Sequence, residues 1–315
     1  MSALDHPTPI PVRTMASKCR IGVDLGGTKI EVIALGASGA VLARQRTDSP
    51  RGSYENTLRS ITEAVRWAEN EAGTLGTVGV GTPGSVSPFT GELRNANSTW
   101  LNGRPLRQDL ERRLDRPVRI ANDANCFALS EAVDGAGKGA NVVFGVIVGT
   151  GTGAGIVVNG RVLEGANGIA GEWGHNPLPW PLPEEWPGPA CYCGRRGCIE
   201  TFLSGPGMSA DHLAATGEML DARVIGRRAA SGEPACAATL DRYTDRMARA
   251  LAHVINVLDP DVIVLGGGVS RVTSLRDSVV ARWTRHVFSD GVNTPLLAAV
   301  HGDAGGVRGA AWLWD

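Results

Sequence analysis

The chain has 315 residues and a formal net charge of -1, with 43% hydrophobic and 20% charged residues. That length allows two lobes with substantial cores, and the composition excludes wholesale disorder. The neutral balance lacks the basic footprint of a nucleic-acid or anionic-membrane binder, and no run of about 18 apolar residues is present to span a bilayer.

Residues 1–19 carry Asp5, Pro7, Pro9 and Pro11 without an apolar signal core. They read as a disordered arm, and a cytoplasmic location is expected. Residues 20–25 form a short apolar run ending in glycine, 29–35 a second run, and 41–46 a third after the Ala37-Ser38-Gly39 turn. Three such strands with short connections predict an antiparallel meander. Leu58, Ile61, Val65 and Ala68 then recur at helical spacing. A strand follows at 77–81, a helix after Pro105 through Leu106, Leu110 and Leu114, and a strand at 118–121. That last strand runs into Asn122-Asp123, and a helix follows.

After Gly135-Ala136-Gly137 the pattern restarts. Strands at 142–148 and 156–158 flank a Gly-Thr-Gly-Thr-Gly turn, and Asn159-Gly160 signals a hairpin returning over 161–163. A strand, a glycine turn and a hairpin thus occur twice, near Asp24 and near Gly149. This weak repeat predicts two related lobes with a cleft between them. Leu240, Tyr243, Met247, Leu251, Val254 and Leu258 mark a long helix ended by Asp259-Pro260. A strand at 262–265 meets Gly266-Gly267-Gly268, and 307–314 reads as a closing helix.

Three glycine turns follow strands. Asp24-Leu25-Gly26-Gly27-Thr28-Lys29 delivers a carboxylate into a turn whose amides can bind phosphate, and Asp24 can hold Mg²⁺. Read alone, that segment is equally a hairpin with a polar tip. Gly149 to Gly153, with the hydroxyls of Thr150 and Thr152, and Gly266-Gly267-Gly268 add two more such turns. Neither a Walker nor a Rossmann pattern is present. Together the three turns fit an ATP held between two lobes better than three unrelated loops.

Asp24-Leu-Gly-Gly-Thr-Lys, Thr150-Gly151-Thr152-Gly153 and Leu265-Gly-Gly-Gly resemble the phosphate and adenosine loops of the actin-like ATPase superfamily. Within it, Gly171-Glu172-Trp173-Gly174-His175 and the segment 191–200 resemble the ROK family of sugar kinases, from residue 20 to the C-terminus. The stretches 95–100 and 174–180 look like the bacterial fructokinase (manno(fructo)kinase) branch. The resemblance implies a two-lobed α/β, ribonuclease H-like fold. Its small lobe would hold residues 20–122 plus 301–315, and its large lobe residues 123–300. It also implies a homodimer and a sugar site lined by Asn97, Asn122, Asp123, Glu172, His175 and Glu200.

Cys191, Cys193 and Cys198 form C-x-C-x₄-C, and His175 shortly upstream completes a Cys₃His set for a structural zinc, the alternative being reduced thiols. Cys19, Cys126 and Cys236 read as ordinary thiols. Asp123 is the expected general base for an attacking hexose 6-hydroxyl, its bland alternative being a helix N-cap. Glu200 alone is equally a helix N-terminal acid, and Glu172 a solvated loop charge. His175 is expected to ligate zinc with one ring nitrogen and meet the sugar with the other. Fructose is the expected substrate. A glucokinase or N-acetylhexosamine kinase shares all of this machinery. A sugar-sensing repressor of the same family would need a helix-turn-helix, for which the proline-spaced first nineteen residues leave no pattern. Residues 177–189, rich in Pro and Trp, read as either a stiff flap near the sugar or a surface loop.

Overall fold

The computed structural model describes residues 19–314. The expected N-terminal arm lies outside these residues, except that Cys19 belongs to the first strand rather than to the arm. Three strands, β1 (Cys19–Leu25), β2 (Lys29–Gly36) and β3 (Val41–Asp48), form the expected meander, antiparallel throughout. Helix α1 (Tyr54–Ala72) follows. Ser53 caps its first turn by accepting from Asn56 N at 3.3 Å, and Gly73 ends it in the left-handed conformation at φ 66°. Its stripe of Leu58, Ile61, Val65 and Ala68 is buried on the sheet. Next come β4 (Thr77–Thr82), a small hairpin of β5 (Ser85–Val86) and β6 (Leu93–Arg94), helix α2 (Leu106–Leu114) and β7 (Val118–Asn122). The first sheet has the order β3-β2-β1-β4-β7, with β1, β4 and β7 parallel.

Helix α3 (Asp123–Val133) leads to the second sheet. This sheet begins with β8 (Val142–Val148), β9 (Thr152–Val158) and β10 (Arg161–Val162). Four helices follow: α4 (Ile199–Leu203), α5 (Gly205–Thr216), α6 (Ala222–Ala230) and α7 (Pro234–Leu258). Strand β11 (Val262–Gly266), helix α8 (Leu275–Trp283), strand β12 (Leu296–Ala298) and helix α9 (Gly305–Ala311) complete the chain. The order is β10-β9-β8-β11-β12, with β8, β11 and β12 parallel and the other pairs antiparallel. The two sheets therefore share one topology, and the weak sequence repeat corresponds to a duplicated sheet. Tyr243, Met247 and Leu251 of α7 pack with Val146, Ile263 and Leu265 in the second core. No helix among the described residues is long and apolar enough to cross a membrane.

Two helices join the halves. α3 packs on β8 and β9, α9 packs on β1, β2 and β4, and the two pack on each other. The closing helix starts at Gly305, two residues before the expected 307, and its last turn, Trp312–Trp314, tightens to 3₁₀. The contact is backbone-close: a Cβ at Gly309 would lie 1.6 Å from the Cys126 carbonyl oxygen. Backbone cannot yield as a side chain can. Gly309→Ala is therefore expected to lower Tm by roughly 10 °C through overpacking, and an unchanged melting curve would show that the helices have room to part. Glu131, fully buried in α3, accepts from Ala136 N (2.9 Å), Val300 N (3.1 Å) and His301 N (3.1 Å). Arg308 of α9 pairs with Asp134 beyond α3 and donates to the Gly39 carbonyl at 3.1 Å.

Candidate active site

The candidate residues collect at the carboxyl ends of parallel strands from both sheets, where open α/β sheets leave a crevice. Asp24 lies near the end of β1, Asn122 ends β7, the 149–151 turn follows β8, and Gly266 ends β11. Asn122, with φ -63° and ψ 150°, is the N-cap of α3, its Oδ1 accepting from Ala124 N at 2.8 Å. Asp123 is thus the first helical residue, and the cap role weighed for it belongs to its neighbour. With Oδ1 occupied, Asn122 has its amide NH₂ to offer a ligand.

The acidic groups feel one another. Asp123 is exposed as a residue, yet its carboxyl lies deep among protein atoms. Desolvation raises its pKa, the Ala124 N–H opposes this, and the charge of Glu172 adds to it. Asp24 is pushed up to about 7, first by burial and then by the charges of Asp123 and Glu31, with Arg46 opposing. Its carboxylate faces the start of α9, where a Cβ on Gly306 would come within 3.0 Å of Oδ2. That approach was missed in the sequence, although the Gly305-Gly306 pair that opens the closing helix marks a place where backbone must come close.

Glu200 lies in the first turn of α4, and its Oε2 accepts from Thr152 N at 2.9 Å. Glu172, exposed, immediately precedes the 3₁₀ turn Trp173–His175. Asn97 is exposed in the loop after β6. That loop is held by Asn102, which bonds Ala96 N at 2.9 Å and Ala96 O at 3.0 Å. Beside it Ser98, not singled out from the sequence, brings its Oγ to 3.6 Å from where a Cβ on Gly27 would stand. Lys29 is exposed at the start of β2 opposite Asp48, and no contact among the described residues ties its ammonium to the group.

Cys191, Cys193, Cys198 and His175 converge, with one donor atom of each within 4.8 Å of all the others. His175 Nδ1 lies 3.6 Å from Cys191 Sγ, and Cys193 Sγ lies 3.6 Å from Cys198 Sγ. Bonds of about 2.3 Å to sulfur and about 2.0 Å to nitrogen, at a tetrahedral angle, give edges of roughly 3.5–3.8 Å. A disulfide would need about 2.05 Å, and all six cysteines are free. The donor set thus fits a four-coordinate metal with no position left open. His175 Nε2, expected to face the sugar, instead meets the hydroxyl of the exposed Tyr192 at 2.9 Å. Contact between that nitrogen and a ligand requires Tyr192 to turn aside.

The Pro/Trp-rich segment is clamped to α7. Arg249 donates to the carbonyls of Pro179 (3.2 Å) and Trp180 (2.8 Å). The buried Glu185 sits between Arg246 and Arg249, 2.8 Å from each. Trp180 stacks on His286 at 5.4 Å between ring centroids.

A cleft of about 380 Å³ opens beyond β11, lined by Gly266, Gly267, Ser270, Arg271, Asp277 and Asp303 among others. Gly267 has φ +86°, and a Cβ there would lie 2.3 Å from the Val148 carbonyl, so only glycine lets this turn pass the end of β8. Positions Gly149 and Gly268 face open space, which leaves room for a ligand against their backbone.

Comparison with known proteins bears on what this site does. Residues 20–315 match the ROK family. An N-acetyl-D-glucosamine kinase of Photobacterium profundum is 41% identical over 296 residues, covering 93% of this chain and 98% of that protein. The crystal structure of a ROK hexokinase from Thermus thermophilus superposes with a TM-score of 0.84 at 33% identity, covering 94% of this chain and 97% of that one. A ROK family glucokinase from Streptomyces griseus, in complex with glucose and AMPPNP, gives a TM-score of 0.74 at 29% identity, covering 93% and 98%.

Proposed function

The chain belongs to the ROK family, with the α/β fold of its sugar kinases, and on that premise we propose that it transfers the γ-phosphoryl group of ATP to the 6-hydroxyl of N-acetyl-D-glucosamine. One observation carries the phosphotransfer reading: Asp123, raised by desolvation, lies within the electrostatic reach of Asp24 and Glu172 between turns from both sheets. A desolvated carboxylate suits a general base, because its raised pKa improves proton acceptance.

In this reading Asp123 accepts the hydroxyl proton, while Asn97, Asn122, Glu172, His175 and Glu200 hold the sugar. Backbone amides of Gly27, Thr28, Thr150 and Gly151, and of the Gly266–Gly268 turn, meet the phosphates, while Gly26 and Gly149 donate to the Lys29 and Gly151 carbonyls and shape their turns. Mg²⁺ at Asp24 would neutralise phosphate charge when bound. Zinc on His175, Cys191, Cys193 and Cys198 would fix the loop carrying Glu172 and Glu200 and take no part in the chemistry.

The fructose expectation gives way to N-acetyl-D-glucosamine, in line with the 41% identical kinase. The segments that suggested fructose hold distinctive residues with structural work. Trp100 Nε1 donates to Thr57 of α1 at 3.3 Å, and Trp180 packs against His286 and His253. Such residues are poor reporters of a sugar. A kcat/KM panel over N-acetylglucosamine, glucose, mannose and fructose is expected to favour the acetylated sugar by at least about tenfold. A preference for fructose would reinstate the fructokinase reading.

A further inference from the structure

We propose that Glu200 is a positioning residue for the nucleotide as well as a sugar ligand, fixing the β8–β9 turn on which the phosphates rest. The inference builds on the kinase reading and adds to it a link between the two substrates. Oε2 of Glu200 accepts the Thr152 N–H at 2.9 Å. A Cβ at Gly151 would lie 2.7 Å from that same oxygen, so glycine at 151 is what admits the carboxylate under the turn. A second segment grips the turn beside Glu200: a Cβ at Gly174 would lie 2.0 Å from the Thr152 carbonyl oxygen and 3.7 Å from Glu200 Cβ. Its first residue is tied down where Gly205 N donates to the Gly149 carbonyl at 2.7 Å.

All three grips come from the segments beside the Cys₃His group. Gly174 precedes His175, Glu200 follows Cys198 by two residues, and Gly205 follows α4. With the Thr152 amide turned onto Glu200, the amides of Thr150 and Gly151 make no hydrogen bond among the described residues and stay available to an anion. A charge-assisted bond to a backbone amide is short and directional, so it holds the turn in one place. The second oxygen, Oε1, remains for a sugar hydroxyl. One carboxylate thereby spans both substrates.

The test compares Glu200→Ala with Glu200→Gln, whose amide oxygen can still accept from Thr152. At saturating sugar, Glu200→Ala is expected to raise KM for ATP by about tenfold, and Glu200→Gln to return it to within about threefold of wild type. Without any substrate, amide hydrogen exchange at Thr152 should quicken by at least about tenfold in the alanine variant but not in the glutamine variant. Gly151→Ala, which displaces the carboxylate without removing it, should reproduce the ATP effect should Glu200→Ala fail to fold. Changes confined to sugar KM, with Thr152 exchange and ATP KM unaltered, would overturn the proposal. If the wild-type chain phosphorylates no sugar, the kinase reading fails by itself; Thr152 exchange and the Kd of a non-hydrolysable ATP analogue then decide the positioning role.

Discussion

Asp123→Asn is expected to lower kcat by about 10³-fold while leaving the Kd for the sugar within about threefold of wild type. The amide keeps the size of the carboxylate and can still accept from Ala124 N, which Asp123 Oδ1 does at 2.8 Å. It cannot take the hydroxyl proton. Helix α3 should survive because its cap is Asn122. Had Asp123 been the cap, loss of activity and loss of stability would have been confounded. Burial raises the Asp123 pKa, so wild-type kcat/KM should fall as pH drops through it, because the protonated acid cannot act as base. Asp24, at about 7, adds to the same acid limb. Retention of kcat within about tenfold by Asp123→Asn, measured by coupled assay beside calorimetric sugar titration, would remove Asp123 from the role of base.

The second large effect concerns the Cys₃His group. Cys198→Ser is expected to strip the metal, to lower Tm by about 10 °C and to raise KM for the sugar at least about tenfold. Three cysteines and an imidazole gather within 4.8 Å on a segment with little regular secondary structure, joined by bonds such as Leu178 N to Gly197 O at 2.9 Å, Ile199 N to Asn176 O at 2.9 Å, and Cys191 N to Arg195 O at 2.8 Å. Without a central ion, Cys191 and Cys198, whose pKa values burial raises, take up protons as thiols, and the loop bearing Glu172, His175 and Glu200 loses its anchor. Elemental analysis should find one zinc per wild-type chain and little in the variant. Metal-free wild-type protein with an unchanged Tm and sugar affinity would sink this expectation.

Residues that carry pattern were legible before the fold was seen. The meander, α1, α7 and the longer strands of both sheets announce themselves because apolar spacing and glycine turns are local properties. The cysteine spacing foretold the gathering at His175 for the same reason. Helices α5, α6 and α8 escaped notice, as did β12, a strand of three residues. α5, α6 and α8 all pack on α7, and α6 carries a local signal of its own in the Asp221 cap and the buried Ala222 and Ile225; β12 is too short to show a period. The fructose expectation is not supported by the relatives, and it drew on residues such as Trp100 and Trp180 that make structural contacts.

What the sequence determined by itself was the inventory: two related α/β halves, three glycine turns, a metal-spaced cysteine set and an aspartate after a strand. Local periodicity and residue chemistry suffice for that. Only the tertiary structure decided how the inventory is shared. It made Asn122 the cap and left Asp123 as the first helical residue. It turned His175 Nε2 onto Tyr192, and it placed Glu200 beneath the Thr152 amide. The reason is geometric and clearest for Glu200: it and Thr152 stand 48 residues apart and meet only where α4 docks on β9, a contact that exists only once the second sheet has formed.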